Sequence, residues 1–158
     1  MITATRVMDN EAVYRNYSQE LTRYATGLVG PFDAPDVVTD ACLRAFGTRN
    51  WPDVVDRRAY LYRTVLNVAN DHHRQTLSRR LREMKTASRE DLPDPTASID
   101  VEVLDAVSRL SVQQRAAVFL TYWEDLSPES VAQRMGVTTG TVKRHLARAR
   151  RRLGELLT

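Results

Sequence analysis

The chain has 158 residues, of which 42% are hydrophobic and 27% charged, with a net charge of +3; this suits one ordinary domain or two small ones and excludes a fully disordered chain. No apolar run approaches the roughly 20 residues that cross a bilayer, and MITATRVMDNEAVY has no signal-peptide core, so a soluble, cytoplasmic protein without membrane insertion is expected. The single cysteine, Cys42, excludes an intramolecular disulfide and, between Ala41 and Leu43 in a helical pattern, reads as a packed thiol.

Val13, Tyr14, Tyr17, Leu21, Tyr24, Ala25 and Leu28 recur at helical spacing and predict a first helix over residues 11–28, ending near Gly30 and Pro31. A second helix is expected over residues 35–46 through Val37, Val38, Ala41, Cys42 and Ala45, with Asp36 near its positively polarised start. The loop GTRNWPDVVD leads to a long helix from about Arg57, with Leu61, Val65, Val68 and Ala69 on its core side and a strongly basic far end. TASREDLPDPTASID has two prolines and no apolar periodicity and reads as an extended linker. Beyond it, Val103, Leu104, Val107 and Leu110 mark a helix, and Ser111 begins another through Ala117, Val118, Leu120 and Thr121. Nothing alternates at period two, so the expected fold class is all-α: two small helical domains joined by a flexible acidic linker.

Charge follows the same division. Residues 1–85 and 101–158 each carry +3, while residues 86–100 carry −3. The cations concentrate within residues 74–85 and 143–152, where they suit phosphate contacts that give affinity without sequence information.

Residues 127–153 read as a helix-turn-helix. Ser127 is a good N-cap, Pro128 fits the first helical position, and Glu129 favours the positive end of the dipole. Val131, Ala132 and Met135 form one apolar face, Gly136 supplies a left-handed stop, and Thr138 caps the next helix. There Val142, Leu146, Ala149 and Leu153 fall on one buried stripe. Lys143, Arg144, His145, Arg148, Arg151 and Arg152 occupy the rest, with no acidic residue between Thr138 and Leu153. Double-stranded DNA is the expected ligand.

Other motifs carry less. Asp71, His72 and His73 spell a DHH string found in some metal-dependent phosphoesterases, but the scattered aspartates of a two-metal site are missing. No Gly-rich phosphate loop, zinc array or nucleophile with a positioned base is evident. No catalytic residue, metal or cofactor is therefore expected. Trp51 either packs in the core or stacks on an exposed base, whereas Trp123 is expected to pack beneath the helix-turn-helix.

Together these segments resemble the extracytoplasmic-function (ECF) group of the sigma-70 family of bacterial RNA polymerase sigma factors, across nearly the whole chain. DAPDVVTDACLRAF is similar to the family's acidic helix that docks on the polymerase clamp, RRAYLYRTVLNVANDHHR to its promoter −10 helix, and YWEDLSPESVAQRMGVTTGTVKRHLARARRRL to its −35-binding segment. The resemblance implies a region 2-like domain over residues 1–85, a linker over 86–100 and a region 4-like domain over 101–158. It places Asp36, Val37, Asp40, Leu43 and Arg44 at core polymerase, and Asn67, Asp71 and Arg74, with Trp51 in the loop 48–56, at the melted −10 strand. Thr141, Lys143, Arg144, His145, Ala147 and Arg148 fall at the −35 duplex. Tyr60 stands where the family often has Trp, and Ala147 is small where some relatives carry a larger side chain. No long C-terminal domain follows, so regulation through such an extension is not expected.

The implied partners are the RNA polymerase core and promoter DNA, duplex and single-stranded; an inhibitory anti-sigma factor is common in the resembling family. The alternative is a freestanding helix-turn-helix repressor or activator, which would bind duplex promoter alone, whereas a sigma factor requires core polymerase.

Overall fold

In the computed structural model, residues 2–84 and 101–157 are described, and the expected linker lies outside them. All regular elements among the described residues are helical. Helices α1 (Ile2–Val29), α2 (Ala34–Gly47) and α3 (Arg57–Met84) form the N-terminal unit, with a short 3-10 turn at Trp51–Asp53. Helices α4 (Val101–Ser108), α5 (Val112–Val118), α6 (Pro128–Met135) and α7 (Thr139–Leu157) form the C-terminal unit, with a π turn, Phe119–Trp123, after α5.

The predicted helices appear in order, although α1 begins at Ile2, nine residues before the predicted start. It stops at Gly30, whose φ of +89° lies in the left-handed region and whose amide donates to the Thr26 carbonyl at 2.9 Å. Helix α5 opens on a full capping box, with Ser111 and Gln114 each satisfying the other's backbone amide. Leu21, Leu28, Val38, Leu61, Val65 and Leu66 fill the core of the first unit, where full burial of each such side chain contributes roughly 1.5–3 kcal/mol. Cys42 lies among them, 3% exposed, and burial pushes its thiol up to about 11, so it is an inert packing group.

The π turn changes one expectation. Trp123 is 79% exposed rather than packed beneath the helix-turn-helix. The wider turn, with Glu124 N–H reaching back to the Phe119 carbonyl at 3.1 Å, shifts the register so that Leu120 points inward and Tyr122 and Trp123 point out. Leu153 is only half-buried, because the stripe Val142, Leu146 and Ala149 runs off the end of the supporting helices.

The two units also touch. Their buried side chains form one continuous apolar cluster, and α5 and α6 rest on α1 and α3. No helix among the described residues is long and apolar enough to cross a membrane.

Candidate nucleic-acid and polymerase interface

The helix-turn-helix is built by its caps. Ser127 Oγ accepts from the Ser130 amide at 3.2 Å, Pro128 follows it, and Gly136 adopts φ +71° and ψ +34°. The Val137 amide then reaches the Ala132 carbonyl at 3.0 Å, the long closing bond of a Schellman end. Thr138 Oγ1 accepts from the Thr141 amide at 3.2 Å and starts α7. Val142, Leu146 and Ala149 are buried against α5 and α6. The register therefore turns Lys143, Arg144, Ala147 and Arg148 outward, all exposed, with Thr141 half-buried at the edge.

His145 differs from its cationic neighbours. It is half-buried, and its Nδ1 is buried without a protein partner. Burial, and then Arg148 and Arg144, hold it below the ordinary histidine value, so it is a neutral ring at pH 7. Arg150 faces another way and donates from Nε to the Tyr122 hydroxyl at 3.1 Å.

On α2, Asp36, Leu43 and Arg44 are exposed and Asp40 is half-buried. Val37 is 3% exposed and faces inward, because one residue is a 100° step around a helix; it supports this surface from beneath and cannot contact a partner itself. Arg44 bridges two helices, pairing with Asp40 from Nη2 at 3.1 Å and with Asp71 of α3 from Nη1 at 3.1 Å. The Asp71 hydrogen bond, then the Asp40 charge, raises the Arg44 pKa.

On α3, Asn67 and Arg74 are exposed and Asp71 is half-buried. The DHH string is divided among structural partners: Asp71 holds Arg44, and His72 Nε2 lies 3.1 Å from Asp33 Oδ2. His73 is half-buried and held below its ordinary value by burial, then by Arg115. No group of three or more His, Cys, Asp or Glu side chains among the described residues is arranged to hold a metal ion.

Trp51 resolves to the core. It is 3% exposed, its Nε1 donates to Asn10 Oδ1 at 2.8 Å, and its ring meets Phe46, Tyr60 and the Arg57 guanidinium. It forms part of the wall of a cleft of about 310 Å³, lined also by Asp9, Thr48, Arg49 and Arg57. The sequence reading missed Asn10, and it missed Arg115, which joins the two units; neither belongs to a local motif.

Residues 13–80 match the family description Sigma-70 region 2, and residues 100–153 match Sigma-70, region 4. The chain is 35% identical over 162 residues to the RNA polymerase sigma-E factor of Streptomyces antibioticus, covering 96% of this chain and 86% of that protein. It is 34% identical over 157 residues to the ECF RNA polymerase sigma factor SigM of Mycobacterium tuberculosis, covering 93% and 76%. In three dimensions it is similar to the sigma factor RpoE of Bartonella quintana, co-crystallised with the anti-sigma factor NepR, at 25% identity, TM-score 0.63 and coverage of 94% and 96%. It shares its fold with CnrH, solved with the cytosolic domain of CnrY, at 22% identity and TM-score 0.61, covering 94% of this chain and 86% of that one. The two halves match regions 2 and 4 of one family, and the relatives align with nearly the whole chain. The chain thus belongs to the ECF group of sigma-70 family RNA polymerase sigma factors, which are initiation factors and not enzymes.

Proposed function

We propose that this sigma factor reads a two-element promoter, with α7 on the −35 duplex and the N-terminal unit on the opened −10 strand. The observation that carries the reading is the outward cationic face of α7, free of acidic residues from Thr138 to Leu153, on a helix-turn-helix whose caps are complete. Lys143 and Arg144 lie at the N-terminal, groove-entering end of that helix, where Lys and Arg donors read guanine edges. Thr141, Ala147 and Arg148 flank them, and neutral His145 offers a hydrogen bond rather than a charge.

Asn67 and Arg74 serve the −10 strand, Asn67 by offering donor and acceptor to a base edge and Arg74 by attracting the backbone. The cleft beside Trp51, of about 310 Å³, has the volume to take an unstacked base, with Trp51 as part of its wall. Capture of that base shifts the closed-to-open equilibrium of the promoter. Asp36, Asp40, Leu43 and Arg44 present a mixed acidic and apolar surface to core polymerase, which performs the nucleotidyl transfer. The complex of the Bartonella relative with an anti-sigma factor supports an inhibitory partner for this chain, and such a cycle is cytoplasmic. Reconstitution with bacterial core polymerase and a promoter library tests the reading: run-off transcription should depend on this chain, and duplex promoter binding by the chain alone, with no effect on transcription, refutes it.

A further inference from the structure

We propose, in an extension that rests on the −10 reading above, that the groove between α1 and the C-terminal end of α2 takes a second unstacked base of the opened strand. That base is the immediate neighbour of the one held beside Trp51, and the groove selects guanine. The groove has a volume of about 500 Å³ and is lined by Asn10, Glu11, Tyr14 and Arg15 of α1 and by Phe46 of α2. Asn10 and Phe46 also line the Trp51 cleft, so the two spaces adjoin.

Tyr14 is an aromatic that packing does not account for. It belongs to the apolar repeat that predicts α1, yet it is 45% exposed. Tyr17, three residues on, is half-buried with the Arg58 guanidinium 5.3 Å from its ring centroid, a cover that Tyr14 lacks. Spacings of four, from Asn10 to Tyr14 and from Glu11 to Arg15, put all four side chains along one side of α1. Phe46 is half-buried, its ring centroid 5.2 Å from that of Trp51, and it divides the groove from the cleft. A ring is about as thick as a stacked base, about 3.4 Å. A strand stepping over Phe46 therefore leaves adjoining nucleotides on its two sides, as apolar wedges do between base steps. The exposed face of Tyr14 gives the second base its stacking partner.

Polar groups choose the base. Asn10 Oδ1 accepts from Trp51 Nε1 at 2.8 Å, which fixes the orientation of the amide and leaves its N–H donors to meet a base carbonyl. Glu11 adds an exposed carboxylate without an ion-pair partner among the described residues. A carboxylate can accept from N1–H and N2–H of guanine while an amide N–H donates to O6; the other three bases lack that pair of adjacent donors beside an acceptor. Arg15 and Arg49, exposed at the groove and the cleft, attract the backbone phosphates. Asp9 is already paired with Arg57 at 2.7 Å.

Fluorescence anisotropy tests the assignment, using holoenzyme assembled with bacterial core polymerase and single-stranded −10 oligonucleotides from an active promoter, with an abasic site scanned along the strand. Two adjoining positions should each weaken wild-type binding about fivefold or more. The second should lose its effect in Tyr14→Ala and the first should keep it, while Tyr14→Phe, which retains the stacking face, behaves as wild type. At the second position guanine should bind about threefold or more tighter than the other bases, a preference that Glu11→Ala removes. Alanine favours a helix, so helicity and core-polymerase affinity should be unchanged; Glu11→Ala decides alone if Tyr14→Ala loses helicity. A single sensitive position, equal affinity for four bases at the second, or a Tyr14→Ala defect already present in core-polymerase binding overturns the proposal. A strand with no base-sensitive position refutes the −10 reading and this subsite with it, whereas one sensitive position refutes the subsite alone.

Discussion

Arg44 of α2 and Asp71 of α3 are joined by an ion pair, Nη1 to Oδ2 at 3.1 Å, which ties the surface proposed for polymerase to the helix proposed for the −10 strand. Both side chains are about half exposed, so the pair itself stabilises the fold by about 1 kcal/mol or less. Its consequence is positional. Asp71→Ala should leave the thermal midpoint within a few degrees of wild type yet reduce both holoenzyme assembly and promoter opening, because Arg44 loses its cross-helix partner. A variant with normal assembly and normal opening would show that the pair only decorates the surface.

Asp36 is the cleaner probe of polymerase binding, since it is exposed and has no salt-bridge partner among the described residues, whereas Asp40 also holds Arg44. Asp36→Lys should slow association with core polymerase about tenfold at low salt, less as salt screens it. Far-ultraviolet circular dichroism should be unchanged. Equal competition with wild type for core polymerase would return Asp36 to the role of a helix N-terminal charge.

Lys143→Ala and Arg144→Ala address the −35 duplex. Loss of a base-specific contact should cost about 1–3 kcal/mol and relax preference at one promoter position. A uniform loss across all variants, with a shallower salt dependence, would identify a phosphate contact instead. Unaltered promoter binding by both variants would remove this end of α7 from the groove.

Asn67 is exposed, which removes the competing account of a buried structural amide. Asn67→Ala should therefore fold normally and lower transcription from duplex promoter, with weaker permanganate reactivity at −10. A pre-melted bubble should restore part of the activity, because base capture is still missing. Normal opening and normal bubble binding would sink the role.

Burial, with Arg148 and Arg144 adding to it, lowers the His145 pKa in the folded chain, while the unfolded chain takes up its proton near 6.5. The resulting stability is complete above that value and is lost as pH falls below it, where the unfolded state binds more protons. His73 acts in the same direction. Urea midpoints at pH 7.5 and 5.5 should show a drop on acidification that His145→Gln reduces; an equal drop in both proteins would contradict the assignment.

Much of the local architecture was written in neighbouring residues. Ser127, Pro128, Gly136 and Thr138 specify two helix starts and one stop through backbone groups only three or four residues away, and the 3.6-residue repeat of Val142, Leu146 and Ala149 dictates which side of α7 its cations occupy. The same local physics places Asp36 and Leu43 on the outside of α2. Contacts between distant segments obey no such period. Trp51 is buried by Asn10, 41 residues away; Asp71 meets Arg44 across 27 residues; and Arg115 reaches the end of α1 across 87. Trp123 turns outward because a π turn inserts an extra residue into the helical register, and no side-chain pattern announces that. A side chain's spacing tells which face of its helix it shares, but the helix that comes to cover that face is selected by packing over the whole chain.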